Sequence, residues 1–195
     1  MYLLRAASAR TSTVADMETI YRLDPGNPQL DLMLVSDVQQ LEKIFLRTPV
    51  TEKKYGSSSR AAQRQEAAKH LLSLQRFARQ VAKEKKTPNP KLWTAMTGYL
   101  EMLAGDRYAA EKTFDRAKRQ LRSGNTYEKQ VLRQIEIWEL LLKILNLDGS
   151  SATADQDAFR MRSFDLFKEV PSFEPFLQDY LSARYAESKH PGKAI

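Results

Sequence analysis

The chain has 195 residues, 42% apolar and 28% charged, with 31 Lys and Arg against 24 Asp and Glu for a formal charge of +7. Such a composition excludes global disorder, and the length is enough for one sizeable core or two small ones. Cysteine is absent, which removes disulfides, thiol nucleophiles, thiolate zinc sites and iron–sulfur clusters together. Only 7 glycines and 8 prolines interrupt the sequence, few for an all-β fold, and long segments rich in Ala, Leu, Glu, Lys, Arg and Gln favour helix.

The start, Met1-Tyr-Leu-Leu-Arg-Ala-Ala, is too short in its apolar part for a signal-peptide core and has no basic flank before it. The sequence therefore reads as cytoplasmic by default. It opens straight into helix-like sequence, as a piece of a longer protein would, and a place in a bacterial envelope stays open if a leader was removed. No run reaches the roughly 18 apolar residues of a membrane span. The densest stretch, Trp138 to Leu147, is broken by Glu139, Lys143 and Asn146.

The first helical segment, Val14 to Leu23, must stop at Asp24-Pro25-Gly26. Asn27-Pro28 and Asn89-Pro90 each read as a helix start, with asparagine as cap and proline pre-set for the first turn. After the first of them, Leu30, Leu34, Val38, Leu41 and Phe45 form an apolar stripe to about Leu46. Residues 47–59, with Thr48-Pro49 and Gly56-Ser57-Ser58-Ser59, lack periodicity and are expected to form a mobile loop. Arg60 to about Lys86 is a long helix with Ala67, Leu71, Leu74, Ala78 and Val81 on one face and Phe77 beside them.

Pro90 to Ala104 and Tyr108 to Leu121 make a helical hairpin around Gly105-Asp106, stopped by Gly124. Tyr127 to Asn146 carries Val131, Ile135, Trp138, Leu142 and Leu145 at four- and three-residue steps. Residues 148–155 read as a linker. Two aromatic-rich helices follow, one with Phe159, Phe164 and Phe167 and a last one, capped by Ser172, with Phe173, Phe176, Leu177, Tyr180, Leu181 and Tyr185. About eight helices in a single domain over 1–195 are expected.

Trp93, Met96, Thr97 and Leu100 on the first arm of the hairpin, and Ala110, Phe114 and Ala117 on the second, resemble the tetratricopeptide repeat (TPR), a hairpin of about 34 residues. Trp93 to Ala110 is one residue longer than the usual interval, Thr97 replaces glycine, and no proline closes the unit near Arg122. The recognisable motif covers about 92–121. The resemblance implies an all-α fold of hairpins stacked as a right-handed superhelix, with an irregular α-helical bundle as the alternative. It also implies a concave surface lined by first helices, which places Lys91, Thr94, Gly98 and Glu101 as candidate partner-binding residues. Thr94, Ala95 and Gly98 stand where some members grip a C-terminal carboxylate with lysine and asparagine, so that clamp is not expected.

Between Glu52 and Lys86, ten Lys and Arg face three Glu, which accounts for the whole net charge. Lys69, Arg76 and Lys83 recur every seven residues opposite Leu74, with Arg79 nearby, and form a candidate basic patch. A concentrated positive surface attracts RNA, DNA, anionic lipid or acidic protein segments. Aromatic interleaving for stacking bases is missing, and a solvated face is the plainer account of the charge.

No enzyme is expected. His70 and His190 are the only histidines, neither in a metal-ligand spacing and both read as surface residues; Glu111/Asp115 and Glu136/Glu139 have the spacing of solvated helix faces. Gly56-Ser57-Ser58-Ser59 lacks the second glycine and the lysine of a phosphate-binding loop. The sequence thus points to a non-catalytic TPR-like scaffold or protein-interaction module without cofactor or metal. Binding of RNA or an acidic partner through residues 60–86, and a structural part in a larger assembly, are the alternatives.

Overall fold

The computed structural model describes residues 14–46, 58–121, 124–145 and 178–179, and among these it is all-α. The helices are α1 (Val14–Leu23), α2 (Gln29–Phe45), α3 (Ser58–Glu84), α4 (Pro90–Leu103), α5 (Arg107–Gln120) and α6 (Thr126–Leu145). None of them is long and apolar enough to cross a membrane. The chain divides into two compact units, 1–46 with 57–135 and 47–56 with 136–195. α3 starts at Ser58, so residues 58–59 of the expected loop are helical; residues 47–57, the linker 148–155, and the aromatic helices but for 178–179 lie outside the described residues.

In the first unit, α1 and α2 form a hairpin whose corner is tied by Asp24. Its carboxylate accepts from the Gly26 amide at 3.1 Å and its carbonyl from Asn27 at 3.2 Å. Asn27 Oδ1 then accepts from the Gln29 amide at 3.0 Å, the capping role expected of it. Asn89 departs from that expectation. It makes no cap on α4, and its side-chain nitrogen donates to Asp31 Oδ2 at 2.6 Å, because α2 brings a carboxylate within reach.

α4 is the centre of this unit, packed by α2, α3 and α5, and every residue from Trp93 to Leu103 is buried. A helix enclosed on several sides must be apolar or self-satisfied all round. Its threonines meet that condition by donating to their own helix, Thr94 to the Pro90 carbonyl at 3.2 Å and Thr97 to the Trp93 carbonyl at 2.8 Å. Trp93 is fully buried, meets Phe77 of α3 edge to face at 5.6 Å, and Phe77 meets Tyr21 of α1 in the same way at 5.8 Å. Such edge-to-face pairs add about 0.5–1.5 kcal/mol each beyond the burial of their area.

α4 and α5 approach closely at Gly98. A Cβ on that residue would stand 2.7 Å from Phe114 Cδ1 and 2.8 Å from its Cε1, so the missing side chain is what admits the ring. Ala110, Phe114 and Ala117 of α5 are fully buried against this arm. The turn between the two helices uses Gly105 at φ 82°, open to glycine without strain, and Asp106 caps α5 by accepting from the Ala109 amide at 3.1 Å.

Donors and carboxylates join the helices across the unit. Trp93 Nε1 donates to Asp31 Oδ1 at 2.7 Å, Tyr99 donates to Glu42, and Tyr21 donates to Glu84 at 3.0 Å. His70, expected at the surface, is instead half-buried, with Nε2 3.1 Å from Asp37 Oδ2, and Asp37 is 2% exposed. The Asp37 hydrogen bond raises the His70 pKa above its ordinary value, against the opposing effect of burial.

Candidate anion-binding groove

The last turns of α3 place Arg79, Ala82 and Lys83 on one face by their three- and four-residue spacing. Lys85 follows in the left-handed region at φ 56°, a conformation that costs a non-glycine residue roughly 1–2 kcal/mol. Its amide closes the helix on the Val81 carbonyl at 3.0 Å. On α5, Arg116 and Gln120 are four residues apart and share a face. These three helices enclose a groove of about 400 Å3 with the buried Thr94 of α4 in its wall.

Arg79, Lys83, Lys85 and Arg116 all line this groove, and no carboxylate does. Lys83, Lys85 and Arg116 are exposed and make no ion pair with any described residue. Arg79 differs. Its Nε and Nη2 donate to Glu101 Oε1 at 3.1 and 2.8 Å, and the Glu101 side chain is only 4% exposed while that of Arg79 is 49% exposed. The buried carboxylate of α4 thus holds the guanidinium while half of its surface stays open to solvent. Glu101 Oε2 is buried and has no hydrogen-bond partner among the described residues, so nothing in that shell competes with Arg79 for the carboxylate.

Like charges gathered in a concavity repel, and the cost is offset when an anion occupies the space between them. The chemistry on offer is therefore recognition of negative charge by two guanidinium and two ammonium groups, with the Gln120 amide as a neutral donor. Among the described residues no group of three or more His, Asp or Glu is arranged to hold a metal ion.

The two candidate surfaces read from the sequence meet here, though not as expected. Arg79 and Lys83 line the groove; Lys69 stands exposed 3.5 Å from Glu66, and Arg76 is exposed without a place in the groove. Of the partner-binding set, Thr94 lies in the groove wall and Glu101 anchors Arg79. Gly98 is occupied by the Phe114 contact, and Lys91 is ion-paired with the buried Glu128 at the start of α6. Thr94, Gly98 and Glu101 are buried because α3 and α5 pack against the face of α4 that the resemblance assigns to a concave surface. Lys85, Arg116 and Gln120 carry no signal of their own in the sequence: Lys85 is visible only as one charge of the basic run, and nothing there tells that residues of α5 line one groove with the end of α3.

A second cavity of about 410 Å3 lies between α1 and α3, where Glu84 accepts from Tyr21, Gln80 and Lys86. Those bonds, that of Lys86 foremost, hold the Glu84 carboxyl down to about pKa 2, and burial followed by the Glu84 bond pushes Tyr21 up to about 12. Tyr21, Gln80, Glu84 and Lys86 in this cavity already bond to one another, and its lining carries both carboxylates and cations, which makes it the weaker place for a ligand. No protein-family model, no curated protein and no solved structure matches this chain.

Proposed function

We propose that the chain is a non-catalytic interaction module of TPR-like helical hairpins, and that its groove between α3, α4 and α5 takes an acidic segment of a partner protein. The observation that carries this reading is the groove itself: four cationic side chains around one concavity, three of them without an ion pair among the described residues, and no carboxylate in the lining. The TPR-like arrangement is supported by the α4/α5 hairpin, in which Trp93, Leu100, Ala110, Phe114 and Ala117 are all fully buried.

Among the polyanions that a basic surface attracts, an acidic peptide suits the lining better than single-stranded nucleic acid, since no aromatic side chain lines the groove to stack a base. The test is titration of the whole chain with a labelled Glu/Asp-rich peptide, followed by anisotropy, for wild type and for Lys83→Glu/Arg116→Glu. Both residues are exposed and unpaired among the described residues, so the variant keeps its circular dichroism. Binding that falls by roughly tenfold or more in the variant, about 1.4 kcal/mol, supports the reading. Equal binding by both proteins contradicts it.

A further inference from the structure

Resting on that reading, we propose that the groove is a phosphate-recognition site, and that the acidic segment it takes carries a phosphorylated serine or threonine seated among Arg79, Lys83, Lys85 and Arg116. The step from acidic to phosphorylated rests on the number and kind of charges. With Arg79 already paired to Glu101, a carboxylate's one charge and two oxygens still leave most of Lys83, Lys85 and Arg116 unanswered. A phosphomonoester brings nearly two charges and three strong acceptor oxygens to the same small volume.

The two guanidinium groups come from different helices, α3 and α5, and a planar fork of donors matches phosphate oxygens as an ammonium group does not. Arg79 is fixed in advance. Glu101 engages Nε and Nη2, while the Nη1 hydrogens make no bond among the described residues. Ordering of that side chain, which otherwise weakens binding, is thereby already accomplished in the free protein. Glu101 is a positioning residue in this account: it touches the arginine and not the ligand.

A phosphoprotein segment fits better than a lipid headgroup. The large exposed apolar side chains of the described residues are Leu23, Leu32, Leu72, Tyr108 and Tyr127, and none of them lines the groove, so a bilayer would find no apolar anchor beside the charge.

The experiment uses the whole chain and three forms of one acidic peptide with Ser, Glu or phosphoserine at its centre, together with inorganic phosphate and vesicles containing a phosphoinositide. The phosphoserine form is expected to bind roughly tenfold or more tightly than the Glu form, and to tighten as pH rises through the second phosphate pKa of about 6, while the Glu form stays level there. Arg116→Ala and Lys83→Ala each abolish most of that preference and leave the thermal melt unchanged. Glu101→Gln weakens the phosphoserine form more than the Glu form.

Equal affinity for the phosphoserine and Glu forms overturns the phosphate inference and leaves the acidic-segment reading standing. Failure of all three peptides overturns both. A phosphoserine preference that survives in Arg116→Ala and Lys83→Ala overturns the assignment to this groove. Binding of vesicles or of phosphate alone, without peptide binding, overturns the choice of partner.

Discussion

Asp31, Asp37, Glu42, Glu101 and Glu128 each meet a donor from another helix: Trp93, His70, Tyr99, Arg79 and Lys91 respectively. Removing one member of a buried charged pair leaves the other without compensation and costs about 3–5 kcal/mol. Arg79→Ala is therefore expected to damage folding as well as binding, which is why Lys83 and Arg116 carry the binding tests. Burial, reinforced by the Glu42 carboxylate, raises the Tyr99 hydroxyl pKa, so it stays a donor at all ordinary pH. His70 titrates within reach. Its pKa in the folded chain is raised above 6.5, chiefly by the bond to Asp37, so the stabilisation is fully present below about pH 6.5 and is lost as pH rises through the folded value. Urea denaturation at a series of pH values should show stability falling across that window in wild type. His70→Gln should flatten the fall; an unchanged slope would mean that the pair does not couple protonation to folding.

At the scale of elements, helix boundaries were legible because the signals that set them are local. The apolar steps Leu30, Leu34, Val38 and Leu41, and the breaks at Asp24-Pro25-Gly26 and Gly105-Asp106, lie in the same few residues as the helices they delimit. What surrounds α4 was not legible. Thr94 and Glu101 are polar and look like an open face in sequence, yet both are buried, and partners from distant parts of the chain decide that. Gly98 illustrates the limit most sharply, since a glycine at a surface position and a glycine admitting a phenyl ring have the same local sequence. Gly98→Ala would gain helix propensity if the position were open. Set against the rigid, buried Phe114 ring it is expected to destabilise the chain by about 1–3 kcal/mol, measured by chemical denaturation. A neutral or stabilising result would show that α4 and α5 do not approach there.

For the whole molecule, the charge of +7 is carried by one stretch of sequence, and its count could be read without a structure. Its direction could not. Lys69 and Arg76 are exposed along α3 away from the groove, whereas Arg79, Lys83 and Lys85 share it with Arg116, a residue from a charge-balanced part of the chain. The basic run thus predicts attraction to anions, and only the packing of α3 and α5 on α4 turns part of it into a concave site. The measurement that tests this most directly is amide chemical-shift mapping of the whole chain as the acidic peptide is added. Perturbations concentrated on 79–85, on Thr94 and on 116–120 are the predicted result. Perturbations centred on Lys69 and Arg76, or spread evenly over every exposed lysine and arginine, would contradict a groove-directed interaction and leave the charge as a general attraction.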